Sequence, residues 1–287
     1  MKILLQRDLK RLYMKCKGTD VEMKYKGAVF FDYDGTMADD RIGIHLPTET
    51  TKKALKSLSE NGYMVVLNSG RSKAALMETG IDFDGYVLMN GAYAEVDGKC
   101  VFENAIEKEK LSELLSVLDS INVDYFLETE NLAEVKDVKG ERFIEFMEKY
   151  ELDYEKFLQF DINNLKKTYK LQVIYGESKY FDELKKKLPD GFVLDDHRNG
   201  ISTDISQEGI AKGTGIEKIC EYFDIPKENT YAFGDNTNDY DMIKRAGHGI
   251  IMGNHASELE DVAEFITDTV ENEGIYKALV KYGLITP

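Results

Sequence analysis

Cysteine is scarce in this chain. Cys16, Cys100 and Cys220 are spread over 287 residues. An odd number at wide spacing builds no disulfide framework and fits a reducing compartment. No CxxC pair suggests zinc. The four histidines, His45, His197, His248 and His255, show no metal-ligand spacing and suggest no Ser–His–Asp set. Long apolar runs are also missing, since none approaches the roughly 20 residues of a membrane helix. The opening MKILLQRDLKRLYMKCK is basic, but Arg7, Asp8, Lys10 and Arg11 interrupt any signal-peptide core. The expectation is a soluble, cytoplasmic chain. Positive charge is the third shortage: 37 Lys and Arg face 53 Asp and Glu, for a net charge of -16. Such a surface repels nucleic acid and anionic lipid, so neither is an expected partner, and no obligate protein partner is inferred. A phosphorylated ligand would be repelled too unless a local cation overrides the field. That directs attention to a metal ion and a lysine.

What is present is enough apolar residue, 43%, for a sizeable core. The length exceeds a usual single domain, so two are expected. Ala28–Phe31 and Tyr63–Leu67 are continuous apolar runs, as in strands buried on both faces. A helix between them, after Pro47-Thr48, has Ala54, Leu55 and Leu58 inward and ends at Asn61-Gly62. Ser72–Thr79 reads as a short helix and Tyr86–Met89 as a third strand. The texture changes after Asn90-Gly91. Ala94–Val96 and Cys100–Phe102 form a hairpin around Asp97-Gly98. Helices follow at Glu107–Ser120, Glu141–Tyr150 and Ser178–Leu188, with strands at Val123–Leu127, Lys170–Tyr175, Phe192–Leu194 and Ile201–Ile205. Then the buried texture returns, with a helix over Gly209–Phe223, strands at Thr230–Phe233 and Gly249–Met252, and a last helix over Gly274–Tyr282. The reading is an α/β, doubly wound, Rossmann-like parallel-sheet core split by an α+β insert. The expected bounds are an extension over 1–26, core over 27–89, insert over 90–203 and core over 204–287.

Four clusters carry the chemistry. Asp32-Tyr33-Asp34-Gly35-Thr36 closes the first strand, where open α/β sheets place their ligands. Paired carboxylates suit a hard cation such as Mg2+, although Asp-Gly is equally a common turn dipeptide. Gly234-Asp235-Asn236-Thr237-Asn238-Asp239 is a second acidic cluster at a second strand end, and an Asx-rich cap in its own right. Asn68-Ser69-Gly70-Arg71 offers a hydroxyl and free N–H groups for phosphate oxygens, or a plain Ser cap. Lys212 precedes Gly213 inside a helical stretch, where glycine costs about 1 kcal/mol. A glycine there would let the helix pack close to another backbone.

In this order the clusters resemble the haloacid dehalogenase superfamily, and within it the Cof-type sugar-phosphatase-like group. Asp32–Thr36 is similar to the first motif, with Tyr33 where phenylalanine is more usual. Ser69-Gly70-Arg71 is similar to the second, with serine for the commoner threonine. Lys212 stands as the third, and Gly234-Asp235 with Asn238-Asp239 and Met242 as the fourth. The similarity continues through Asn90-Gly91-Ala92, Met252-Gly253-Asn254 and Glu273-Gly274, from about Gly27 to the end. The resemblance implies a cap domain in the insert and an Mg2+-dependent phosphatase acting on a small phosphorylated metabolite. Asp32 would be the nucleophile and Asp34 the acid and base. Asp32, Asp34 through its carbonyl, Asp235 and Asp239 would serve the metal, Asp239 directly or through water. Ser69, Gly70, Lys212 and Asn238 would hold the phosphoryl oxygens. Superfamily dehalogenases lack the Asp34 acid, and the ion-pumping ATPases carry threonine there.

Two alternatives stay open. A phosphomutase of the same architecture would grip a second phosphate, usually with several arginines, but 90–203 holds only Arg142 and Arg198. A catalytically inactive binding homologue would not need this full set of side chains. For specificity the candidates are Arg198 and His197, where the insert returns to the core, and Asn90, where it begins.

Overall fold

The computed structural model describes residues 24–150, 152–197 and 199–287. The extension expected over 1–26 therefore falls almost wholly outside the described residues, and so does Arg198. Two sheets organise the rest. The first contains β1 (Gly27–Phe31), β2 (Tyr63–Asn68), β3 (Gly85–Leu88), β4 (Tyr93–Val96) and β5 (Lys99–Glu103). The second contains β6 (Asp124–Glu128), β7 (Ala133–Val135), β8 (Phe157–Gln159), β9 (Lys170–Ile174), β10 (Phe192–Asp196) and β11 (Ser202–Gln207). The chain then returns to the first sheet with β12 (Thr230–Gly234), β13 (His248–Ile251) and β14 (Phe265–Ile266). The helices are α1 (Glu49–Glu60), α2 (Lys108–Asp119), α3 (Glu141–Lys149), α4 (Ser178–Lys187), α5 (Lys212–Phe223), α6 (Tyr240–Arg245) and α7 (Gly274–Lys281).

The core sheet runs β14-β13-β12-β1-β2-β3-β4-β5, parallel except where β4 and β5 turn back. Side chains alternate across β1, so Val29 and Phe31 join Leu55, Leu58, Ile275 and Leu279 of α1 and α7 on one face. Ala28 and Phe30 join Ile216, Ile219 and Met242 of α5 and α6 on the other. Both faces are covered, which is why the strands read as unbroken apolar runs. Helix α1 forms where it was expected: Thr48 accepts the Thr51 N–H at 3.1 Å, and Gly62 at φ 87° carries the chain out.

The second sheet, ordered β10-β11-β9-β6-β7-β8, carries Leu111, Leu114, Leu118, Phe181 and Leu184 from α2 and α4 on one face. This is the α+β cap. Four features differ from the sequence reading. The insert, expected to end at residue 203, keeps β11 through Gln207, because Asp204 and Ile205 pair with β9 and β10. The hairpin counted with the insert extends the core sheet, because Ala94 and Val96 complete the apolar layer with Val66, Val87 and Ile216. The helix expected over Ser72–Thr79 is a single turn at Lys73–Ala75; Leu76 is already extended at ψ 137°. The helix expected from Gly209 starts at Lys212, since Gly209 turns at φ 81° and Ala211 is extended.

Candidate active site

The chain leaves β1 toward β2 and β3 on one side, and comes back beside it through β12 and β13 on the other. The carboxyl ends of β1 and β12 therefore meet at the switch point, the ligand-binding place of such sheets. Asp32 donates its N–H to Phe233 O at 2.9 Å, locking the two ends together. Gly35 sits at φ 84°, and a Cβ there would fall 2.0 Å from Asp235 Oδ2. Glycine is thus what lets the Asp34–Thr36 turn close over Asp235, whose Oδ1 accepts the Thr36 hydroxyl at 3.2 Å.

Lys212 lies beneath, 1% exposed. Its ammonium donates to Asp32 Oδ1 at 2.6 Å and to Asp239 Oδ1 at 2.7 Å. Asp239 spends its other oxygen on the N–H groups of Asp235 at 2.9 Å and Asn236 at 3.0 Å. As the first residue of α5, Lys212 is also tied through its carbonyl to Asn68 Nδ2 at 3.1 Å. Gly213 permits this seat, since a Cβ would meet Asp241 O at 2.7 Å. The close backbone approach expected of that glycine is real.

Oxygens of Asp32, Asp235 and Asp239 lie within 4.8 Å of one another, with Lys212 the ammonium bonded among them. Burial, then the charge of Asp239, pushes the Asp32 carboxyl up to about 7. Burial, then Asp32 and Asp239, pushes Asp235 up to about 8. Burial works against the Lys212 ammonium, but Asp239 and Asp32 more than offset it and raise its pKa. The cluster thus has an excess of negative charge and hard oxygen donors, the combination a divalent cation such as Mg2+ relieves.

Asp34 does not join this cluster with its side chain. Arg71 grips it with Nε at 2.9 Å and a terminal nitrogen at 2.6 Å, and another nitrogen holds Ala75 O at 3.1 Å. Ser69 is 1% exposed and accepts the Arg71 N–H at 3.1 Å. Gly70 lies where a Cβ would stand 2.7 Å from Asn90 Oδ1. Asn90, in the left-handed region at φ 54°, donates to Asp204 Oδ2 at 3.4 Å.

Between core and cap is a cavity of about 360 Å3. Asp32, Asp34, Gly70, Arg71 and Asn238 face it from the core; Glu128, Lys170, Gln172, Asp195, His197 and Asp204 face it from the cap. A larger open groove of about 870 Å3 beside α5 and α6 contains none of these residues. Ser69, Asn90, Lys212, Asp235 and Asp239 sit behind or beside the cavity rather than among its lining. Apart from His197, the cap residues were not anticipated from sequence. Their signal lay in Lys170-Leu171-Gln172-Val173, where polar residues alternate with a buried apolar face.

The comparisons with known proteins follow this geometry. The model of the haloacid dehalogenase-like hydrolases matches residues 29–279. YkrA of Bacillus subtilis (strain 168) is 28% identical over 261 residues, covering 90% of this chain and 98% of its own. The 5-amino-6-(5-phospho-D-ribitylamino)uracil phosphatase YitU of the same organism is 24% identical over 271 residues, covering 88% and 96%. The solved structure of the subclass IIB sugar phosphatase BT4131 superposes with a TM-score of 0.76 at 25% identity, over 90% of this chain and 100% of that one.

Proposed function

The chain belongs to the haloacid dehalogenase-like hydrolase family and is a phosphatase, and we propose that it hydrolyses a small phosphorylated metabolite, such as a sugar phosphate or phosphorylated cofactor, with Mg2+ and through a phosphoryl group carried on Asp32. The observation that carries this reading is the Asp32–Lys212–Asp239 chain of contacts at 2.6 and 2.7 Å, at the end of the strand beside Asp235. A buried carboxylate fixed by an ammonium on one oxygen keeps the other for attack.

Asp32 and Asp235, with the backbone carbonyl of Asp34, would hold the metal. Bound there, Mg2+ would neutralise charge on the transferring phosphoryl group and favour the ionised form of both carboxylates. Asp239, with both oxygens committed to Lys212 and the Asp235–Asn236 backbone, would position the site rather than ligate. In the first step an Asp32 oxygen bonds to phosphorus, the bond to the leaving oxygen breaks, and Asp34 gives that oxygen its proton. In the second, Asp34 takes a proton from water, the water oxygen bonds to phosphorus, and Asp32 departs with its oxygen. Gly70, Asn238 and Lys212 would steady the phosphoryl oxygens, Ser69 shaping the loop from behind, so that catalysis is mainly positioning and charge neutralisation.

The sparse cysteine supports a cytoplasmic location, and no helix among the described residues is long and apolar enough to cross a membrane. The test is phosphate release. Turnover should require Mg2+, stop in EDTA, and vanish in Asp32→Asn while circular dichroism stays unchanged. Full turnover in EDTA or in the variant would overturn the mechanism.

A further inference from the structure

The cap wall of the cavity is aromatic on one side. Phe146 and Tyr150, at the end of α3, line the same cavity as Asp32 and Asp34, and Leu152 follows them. Phe146 is 5% exposed and belongs to an apolar cluster with Phe126 and Ile174. Tyr150 stays outside that cluster. Phe146 packs on its ring at 4.6 Å between centroids, and the Lys149 ammonium stands 5.4 Å from its centre, yet Tyr150 remains 40% exposed.

The ring is open but held at both ends. Its hydroxyl accepts the Asn199 amide at 3.0 Å. Asn199 is itself fixed, since Oδ1 accepts the N–H groups of Ile201 and Ser202, both at 2.9 Å, and Nδ2 also reaches Ser202 Oγ at 2.8 Å. The turn between β10 and β11 thus positions the polar end of Tyr150, while α3 positions the other. A fixed aromatic ring presents contact area at small cost in entropy, and a second flat group covers it well.

Gln172 is a separate sign of a ligand. It lies directly across from Phe126 on the β9–β6 pair, and Phe126 is 6.0 Å from Phe146 between ring centroids. Residues in register share a face of the sheet, so the amide stands at the border of the aromatic layer. Its other cross-strand neighbour, Asp204, is committed to Lys170 and His197. Gln172 is partly buried and lines the cavity, and among the described residues no hydrogen bond reaches its side chain. A carboxamide offers a donor and an acceptor side by side, and pairs in two bonds with a ring edge that carries the complement.

We propose that Tyr150 and Gln172 seat a flat heteroaromatic ring on the leaving-group half of the substrate, Tyr150 against its face and Gln172 at its edge. The substrate is then the phosphate monoester of an alcohol that bears such a ring, rather than a bare sugar phosphate. This rests on the phosphatase reading above and narrows its substrate class. A saturated sugar has hydroxyls for Gln172 but little flat surface for Tyr150. A hydrocarbon ring covers Tyr150 and leaves the amide unmet. A ring with both a π face and a hydrogen-bonding edge uses the two residues together.

The experiment compares alkyl monophosphates of several chain lengths ending in a 2-pyridone, a phenyl or a hydroxyl group, on the full chain with Mg2+. At the best length the phenyl ester should exceed the hydroxyl ester in kcat/KM by about tenfold, the scale of one stacked ring. The pyridone ester should exceed the phenyl ester by about tenfold more, the scale of one paired edge. Tyr150→Ala should collapse the phenyl-to-hydroxyl ratio toward one, and Tyr150→Phe should keep most of it. Gln172→Leu should erase the pyridone-over-phenyl preference and keep the phenyl-over-hydroxyl one. Equal kcat/KM for the three ends of the wild-type series, which needs no variant to fold, would overturn the seat. So would a phenyl-to-hydroxyl ratio unchanged in Tyr150→Ala. Calorimetric binding of the matching non-hydrolysable phosphonates separates the seat from the chemistry. Tighter binding of the pyridone phosphonate with no turnover of any ester would uphold the seat and overturn the phosphatase reading. Turnover of the series with no preference for a ring would do the reverse.

Discussion

Arg71 holds both carboxylate oxygens of Asp34 in a forked pair, at 2.9 and 2.6 Å, across 37 residues of sequence. The guanidinium also lies 5.5 Å from the Tyr33 ring centroid and bonds Ala75 O, so the pair is anchored at its far end. A forked guanidinium fixes the plane of a carboxylate as well as its place. In the mechanism proposed above, Asp34 would aim one oxygen at a leaving group, and Arg71 would set that aim.

The first prediction tests this relationship. Arg71→Ala should lower the single-turnover rate of enzyme phosphorylation on alkyl phosphates by about tenfold to a hundredfold, within the range general acid catalysis supplies. Aryl phosphates, whose leaving groups need no proton, should lose much less. Asp34→Asn should show the same leaving-group pattern. The double variant should fall short of the summed single losses, because the two residues act as one unit. Equal losses on alkyl and aryl esters would assign Arg71 to packing.

The second prediction concerns Gly35. Alanine there would need φ near 84° and would drive its Cβ to 2.0 Å from Asp235 Oδ2. The turn would have to open, breaking the Thr36–Asp235 hydrogen bond at 3.2 Å. Gly35→Ala should cost about 1–3 kcal/mol of stability for the strained backbone, read by urea unfolding. It should also weaken Mg2+ binding, read by calorimetry. Gly43→Ala, at φ 76° but with nothing within 4 Å of its Cβ, should lose stability without losing metal affinity.

Much of this was legible in the sequence because local rules and global fold agree there. Residues Ala28–Phe31 are apolar without a break because helices cover both faces, and the acids that follow had only a strand end to occupy. Lys212 could be singled out by Gly213, whose missing Cβ makes the approach to Asp241 possible. The cap face was hidden for a physical reason. Lys170 and Glu128 pair across β9 and β6 some 42 residues apart, and nothing local says that two polar ends of alternating strands will face a cavity. The Ala94–Val96 strand was misplaced for a similar reason: its alternation names a half-buried strand but not the sheet that receives it. Arg71 stood in a quoted motif, yet its partner Asp34 is defined only when β1 and β2 lie side by side.

The third prediction removes the buried ammonium. Lys212→Met would leave Asp32 and Asp239 buried, at 4% and 0% exposure, with no cation between them. Breaking a buried pair by deleting one partner costs about 3–5 kcal/mol. Metal-free Lys212→Met should therefore unfold at clearly lower urea concentration than the metal-free wild type. Mg2+ should recover part of that loss, since in the proposed site it binds Asp32, but it should not recover turnover. A variant as stable as the wild type without metal would show that Asp32 and Asp239 are not the charges Lys212 balances.

The fourth prediction follows from Asp32 at about 7 and Asp235 at about 8, against the ordinary 3.8 of an unfolded chain. Between these values the metal-free native state binds protons that the unfolded state has already released. Stability falls with rising pH wherever the native state binds more protons. These two acids thus support the fold fully at low pH, less as pH climbs above the unfolded value, and reach their floor once pH passes about 8. Lys212 does not reverse the trend, because its raised pKa keeps it charged in both states across this window. The melting temperature of the EDTA-treated protein should drop between about pH 5 and pH 9. Saturating Mg2+ should flatten the curve, because a metal needs the ionised carboxylates and displaces their protons. Mg2+ affinity should accordingly rise with pH over the same interval, and binding at neutral pH should release protons. Calorimetry in two buffers of different ionisation enthalpy measures that release. Asp235→Asn should shrink both the slope in the metal-free protein and the proton release, while a pH-independent melting curve in EDTA would mean that the two carboxylates titrate as they do in the unfolded chain.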